Sequence, residues 1–295
     1  MLNPLEELVQ SLREGDAMPE RASLCEFSCL EAGDAELVRE AWPSVPVERR
    51  QMLMRSLVDM AEADFELDFG AVFRVGIEDQ DCEVRVAAVE GLWEDEDIRL
   101  IPVLAERLLG DEVARVREAA AVSLGRFVLL GELEKIRPEP KARAYEALLA
   151  SCVDGEESVE VRRRALESLS YVCEDAVVDL VLEASKAGDE KTRVSAVFSM
   201  GRSGDARWER EVRRELFSPN PEMRYEAARA CGELELRDAV PELEELVEDA
   251  DAEVHEAALW ALGQIGGDRA RAILERLCRS GDEATREAAT AALEE

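Results

Sequence analysis

Five residues set the register of this chain: Arg162, Arg193, Arg224, His255 and Arg286, each 31 residues after the last. The same phrase surrounds each one. An apolar or Thr residue precedes it, Ala follows three on, and a small or apolar residue follows seven on. A strict period of this length is the signature of stacked helix pairs, in which no repeat buries its own core alone. The period therefore constrains the architecture far more than it constrains the function.

The phrase extends towards the N-terminus. Arg117 carries Val116, Ala120 and Leu124 in the same slots, and Arg85 carries Val84, Ala88 and Leu92. Four residues before the anchors stand Asp81, Ser158, Asp189, Asn220, Asp251 and Asp282. Such side chains accept hydrogen bonds from the free N–H groups of a helix's first turn. Eight after the anchor come Gly125, Gly201, Gly232 and Gly263, which suit a helix terminus or a close helix crossing. The phrase thus predicts a capped amphipathic helix with its apolar stripe at −1, +3 and +7. A further helix follows each one, as in AVPELEELVED (239–249) or IPVLAERLLGD (101–111).

Helix pairs with an Asp cap, Val-Arg, Ala and a Leu-Gly ending resemble HEAT repeats, above all the short bacterial type known from phycobilisome lyases. PEMRYEAARACGEL and AEVHEAALWALGQIGGD are similar throughout, and Pro102 and Pro241, early in the first helix of their pairs, fit as well. The resemblance covers about 76–295. It implies an all-α fold, a right-handed α-solenoid of about eight or nine HEAT-like helix pairs. It implies little about activity, because a solenoid is a reusable scaffold.

Two regions break the period. Residues 1–75 are expected to form divergent helical repeats that cap an array over 76–295. Within them MPERASLCEFSCLEAG and VERRQMLMRSLVDMA look like degenerate second helices, and EADFELDFG (62–70) an acidic linker or poor helix. Between Arg117 and Arg162 the spacing widens to 45, which places an insertion near 128–141. Pro138 and Pro140 are expected to stop any helix there, leaving an elongated helix plus a loop, or a protruding corner.

Composition sets further bounds. No stretch of 18 uncharged apolar residues is present to span a membrane. The opening MLNPLEELVQSLREGD is expected to form an acidic amphipathic helix rather than a secretory leader. Seven cysteines without paired spacing fit reduced thiols in a cytoplasm. Cys25 and Cys29, four apart on one expected helix face, find no further metal ligands. Thirty-six basic residues against 68 acidic ones leave a formal charge of −32, which opposes binding to a phosphate backbone. Such an excess usually serves solubility; the alternative is attraction of a basic partner. From Arg162 to Arg229 the balance is 13 basic to 13 acidic, so that stretch alone is neutral.

At 100° per residue, +1, +5 and +9 point away from a core at −1, +3 and +7. The HEAT resemblance implies that second helices line the concave surface. Tyr171, Phe198, Tyr225 and Trp260 then fall on the non-core side of four successive repeats, beside Arg163, Arg202 and Arg229. Aromatic and Arg residues make binding hot spots. The candidate partner-binding set is therefore Tyr171, Phe198, Tyr225, Trp260, Arg163 and Arg229. The competing reading buries these rings between repeats.

Catalytic constellations are sparse. One histidine excludes a triad or metal site that needs two imidazoles. The HEAT-repeat iron enzyme that hydroxylates deoxyhypusine carries several His-Glu dipeptides at this slot, and His255-Glu256 is similar, but it stands alone. His255 is expected to replace Arg in an inter-repeat Asp–Arg ladder. The expectation is a non-catalytic, cytoplasmic, protein-binding scaffold or adaptor with no cofactor and no metal. The alternative, implied by the lyase resemblance, is a factor that holds an anionic ligand such as a tetrapyrrole together with a client protein.

Overall fold

The computed structural model describes residues 4–14, 18–280 and 282–294, so parts of the opening segment (1–3 and 15–16) lie outside the described residues. It is 76% helix, with no strand among the described residues. Among the described residues eighteen α-helices follow in order: α1 Pro4–Glu14, α2 Arg21–Leu24, α3 Ala32–Ala41, α4 Val47–Ala63, α5 Gly70–Gly76 and α6 Cys82–Gly91. Next come α7 Leu100–Gly110, α8 Ala114–Glu132, α9 Pro138–Val153, α10 Val159–Leu169, α11 Asp175–Ala184 and α12 Glu190–Arg202. The last six are α13 Glu209–Glu215, α14 Pro221–Glu233, α15 Val240–Leu246, α16 Ala252–Ile265, α17 Gly267–Ser280 and α18 Glu283–Glu294. No described helix is long and apolar enough to cross a membrane.

The chain divides into two compact units, one of residues 1–127 with 136–147, the other of 128–135 with 148–295. In the first, α1 packs on α3, α3 on α5, and α4 and α5 on α6. Leu53, Met54 and Leu57 of α4 are fully buried. Phe69 and Phe73 meet edge to face with centroids 6.4 Å apart. In the second unit α10, α12, α14, α16 and α18 each pack on the next, while α11, α13, α15 and α17 each pack on the helix that follows. That is the layout of an α-solenoid.

The anchor register is realised atom by atom. Asp81, Ser158, Asp189, Asn220, Asp251 and Asp282 each accept a first-turn N–H of the helix they precede. The stripe at −1, +3 and +7 is buried: Val161, Ala165 and Leu169 on α10, Met223, Ala227 and Cys231 on α14, Val254, Ala258 and Leu262 on α16. At about 25 cal/mol per Å² of apolar surface, this stripe is what holds helices this short in place.

Two expectations need correction. MPERASLCEFSCLEAG does not make a second helix. α2 has four residues, a 3₁₀ turn over Cys25–Phe27 follows, and Cys29 adopts φ 53°. The cause is tertiary. Cys29 N–H donates to the Asp68 carbonyl at 2.7 Å, Asp68 N–H donates to Ser28 Oγ at 3.0 Å, and Phe27 is wholly buried. These contacts draw the chain out of helical geometry, so Cys25 and Cys29 share no helix face. At the insertion, the prolines begin a helix instead of stopping one. α8 runs on to Glu132, and α9 starts at Pro138 with Pro140 still in its first turn. The N–H groups missing there would have had no intrahelical acceptor.

Candidate partner-binding face

The six residues predicted for a binding face are all half-buried, neither core nor fully exposed. Arg163 lies on α10, Phe198 on α12, Tyr225 and Arg229 on α14, and Trp260 on α16, while Tyr171 stands in the turn just beyond α10. Their helices approach closely because glycine occupies the crossing points. A Cβ on Gly201 would come within 2.7 Å of Ala230 Cα. A Cβ on Gly232 would come within 2.6 Å of Trp260 Cζ3. Of the two roles open to these glycines, close crossing is the one they fill. Side chains at +5 on neighbouring helices can therefore touch.

Arg229 and Trp260 do so, and the face carries two clusters of contacts. Arg163 Nε donates to Ser195 Oγ at 2.8 Å, and Ser195 Oγ donates in turn to Glu167. The Arg202 guanidinium lies 5.3 Å from the Phe198 ring centroid and 3.4 Å from Glu233. Glu233 also stands 3.8 Å from Arg229, whose Cζ is 3.6 Å from the Trp260 ring centroid. A partly desolvated cation–π pair of this kind contributes about 1–2 kcal/mol. Among the described residues Tyr171 and Tyr225 join neither cluster, although they fall in the same non-core slots as their members.

One carboxylate stands apart. Glu226 forms no hydrogen bond or ion pair among the described residues. Burial pushes its carboxyl up to about 7, the negative charges of Glu167 and Glu233 push the same way, and Arg229 and Arg202 only partly offset them. Glu233 is likewise raised by burial, with Arg202 and Arg229 pulling it back. The face is thus aromatic and densely charged, with its arginines already held and one acid unpaired. Glu226 and Glu233 were not singled out from sequence. Glu233 occupies the +9 slot that also holds Tyr171 and Arg202, so the same arithmetic would have found it. Glu226 sits at +2, beside the stripe, where charge alone gave no signal.

His255 takes a structural place. Nδ1 contacts the Val247 carbonyl and Nε2 lies 3.2 Å from Thr285 Oγ1 of the next repeat. Among the described residues no cluster of three or more His, Cys, Asp or Glu side chains could hold a metal ion.

A family model for HEAT repeats matches residues 72–158 and 210–294, more than half of the chain. Among solved structures the chain is similar to yeast importin-β, with a TM-score of 0.57 at 13% identity over 98% of this chain and 45% of that one. It is also similar to the phycocyanin lyase complex of a Nostoc species, with a TM-score of 0.47 at 18% identity over 65% and 75% of the two chains. Human deoxyhypusine hydroxylase gives 0.37 at 18% identity over 88% and 95%. Identities this low speak to fold alone. No curated protein matches the sequence.

Proposed function

The chain belongs to the HEAT-repeat family, and we propose that it is a protein-binding scaffold whose docking face is the non-core side of α10, α12, α14 and α16. The observation that carries this reading is the cluster from Phe198 through Arg202, Glu233 and Arg229 to Trp260, half-buried across three successive repeats, with Arg163 in a second cluster on the repeat before. Rings and guanidinium groups already fixed by neighbours lose little conformational entropy on binding, which is how hot spots gain affinity. The arginines Arg163, Arg202 and Arg229 are neutralised by the chain's own Glu167 and Glu233. That supports contact with a protein over an anionic pigment, whose propionates would have to displace those acids. The unpaired Glu226, on a chain of formal charge −32, favours a partner that presents a basic side chain there.

The test is a Trp260→Ala/Arg229→Ala protein compared with its parent in quantitative affinity capture from the native host. Loss of a specific partner by about thirtyfold, with the helical circular-dichroism spectrum retained, is the expected result. A variant that keeps every partner of the parent refutes the face.

A further inference from the structure

Two of the anchor arginines, Arg85 and Arg224, and Arg50 upstream of them form a ladder in which the guanidinium takes a carboxylate from the loop that opens the next repeat. Arg50 lies 3.3 Å from Asp79. Arg85 grips Asp111 through two bonds of 2.8 Å, and Arg224 grips Asp249 through bonds of 2.7 and 2.8 Å. In each case the acid stands six residues before the following anchor: Asp79 before Arg85, Asp111 before Arg117, Asp249 before His255. Six before Arg193 stands Ala187. The seat for the acid that would hold Arg162 is therefore empty of carboxylate, while the arginine remains. Arg193 faces a similar gap, at Ser218, but lies 3.9 Å from Glu190 and keeps the carbonyls of Ala187 and Gly188 at 2.9 and 3.2 Å, as Arg85 keeps those of Asp79 and Gln80 beside its acid. Arg162 has none of these: its guanidinium makes no hydrogen bond or ion pair among the described residues.

Arg162 and Ala187 line the same cavity, of about 910 Å³ and open to solvent. Its volume lies within the range of ligand pockets. Val153, Val159 and Leu166 give it an apolar wall, and Val153 is 64% exposed there. The other charges are either committed or at the rim. Arg163 is bound to Ser195, and Asp189 caps α12 through Thr192 N–H at 2.8 Å. Lys186, Asp179 and Glu183 are exposed.

We propose that this cavity docks a carboxylate carried on a partner's peptide segment. The partner's carboxylate takes the seat that Asp111 and Asp249 occupy elsewhere in this chain, in a two-bond pair with Arg162, and an adjacent aliphatic side chain packs on Val153 and Val159. A guanidinium fork matches a carboxylate in that geometry. Asp179 and Glu183 at the rim select for a single negative charge on an otherwise neutral or basic segment, against a phosphate or an acidic run. Arg163 borders both this cavity and the face that ends at Trp260, but Arg162→Gln touches only the cavity and Trp260→Ala/Arg229→Ala only the face, so either can fail alone.

The experiment uses the full chain and three probes: the peptide acetyl-Ala-Leu-Asp-Leu-amide, its Asn counterpart, and the Asn peptide with a free C-terminal carboxylate. Binding is read by the NMR shifts of the Gly155 and Val159 backbone N–H resonances, which line the cavity and persist in every variant, with the Arg162 Nε–H followed as well in the parent. A saturable shift with one or both carboxylate peptides, and none with the Asn amide, is expected; which of the two binds separates a side-chain acid from a chain terminus. Arg162→Gln should weaken binding about tenfold or more and leave the melting temperature unchanged, having no internal partner to lose. Ala187→Asp should fill the seat, raise the melting temperature and block the peptides. The proposal is overturned by no saturable shift at affinities down to about 1 mM, by binding that survives either substitution, or by inorganic phosphate binding more tightly than the peptides.

Discussion

The Arg229 guanidinium sits over the Trp260 indole, 3.6 Å from the ring centroid, and the two residues hold the same position in successive repeats. Beneath them Gly232 makes that approach possible. Gly201→Ala and Gly232→Ala should both destabilise, because overpacking costs about 1–3 kcal/mol while helix propensity returns about 1 kcal/mol. Gly201→Ala should be the worse of the two. Its new methyl meets the Ala230 backbone, whereas the nearest atom to the methyl at Gly232 is the edge of a half-buried ring. Urea midpoints give the ranking. Combining Gly232→Ala with Trp260→Ala should cost less than the sum of the two, since they share one contact.

The ladder offers a sharper contrast. Arg85 and Asp111 are both buried, with side chains 6% and 1% exposed. Arg85→Gln leaves the Asp111 carboxylate in the interior with its best partner gone, so a loss of about 3–5 kcal/mol is expected in equilibrium unfolding. Arg224→Gln should cost less, because Asp249 is 10% exposed and water can reach it. A loss at Arg85 below that at Arg224 would mean that burial does not govern the ladder.

Glu226 gives a pH dependence of unusual sign. Its carboxyl is raised from 4.5 to about 7 in the folded chain. Between those values the folded state holds a proton that the unfolded state has released. Stability from this group is therefore full below about pH 4.5 and is lost as pH rises through 7. Glu226→Gln should raise the melting temperature at pH 8, leave it unchanged near pH 4.5, and flatten the profile between. An unchanged slope in the variant would place the titration elsewhere.

How much of this was legible follows from which forces act locally. Caps and stripe depend on residues within one helix, so Asp251, Val254, Ala258 and Leu262 could be placed from spacing alone. The phase of Phe198, Arg229 and Trp260 could be placed too, but not their half-buried state, which depends on how closely Gly201 and Gly232 bring the helices together. The first 75 residues resisted because Ser28 accepts from Asp68 N–H, forty residues away, and Cys29 N–H donates to the Asp68 carbonyl. The prolines at 138 and 140 open α9 where spacing predicts a stop, because the same residue that ends a helix opens one when it falls in the first turn.

Capping can be measured directly. Asp251 accepts from Glu253 and Val254 N–H at 3.0 and 3.3 Å. Asp251→Ala should cost about 0.5–2 kcal/mol, and Asp251→Asn only a small part of that. Calorimetry on both variants distinguishes a lost cap from a lost charge. If Ala and Asn prove equally harmful, the carboxylate charge, not its acceptor role, is what α16 needs.

The seven cysteines divide by environment, and this gives a residue-by-residue probe of opening. Cys25, Cys29 and Cys173 are exposed, Cys82, Cys152 and Cys278 half-buried, and Cys231 buried on the α14 stripe. Burial pushes the Cys152 and Cys231 thiols up to about 12. At pH 8 such a thiol is ionised in roughly one molecule in ten thousand, and the thiolate is the species that reacts. Pulse alkylation read by mass spectrometry should therefore label Cys25, Cys29 and Cys173 first. Cys231 should react only at urea concentrations that unfold α14, in step with the loss of helix signal. Labelling of Cys231 at the rate of Cys173 in native buffer would show that α14 opens on its own, and the stacked packing of α12, α14 and α16 would then be wrong.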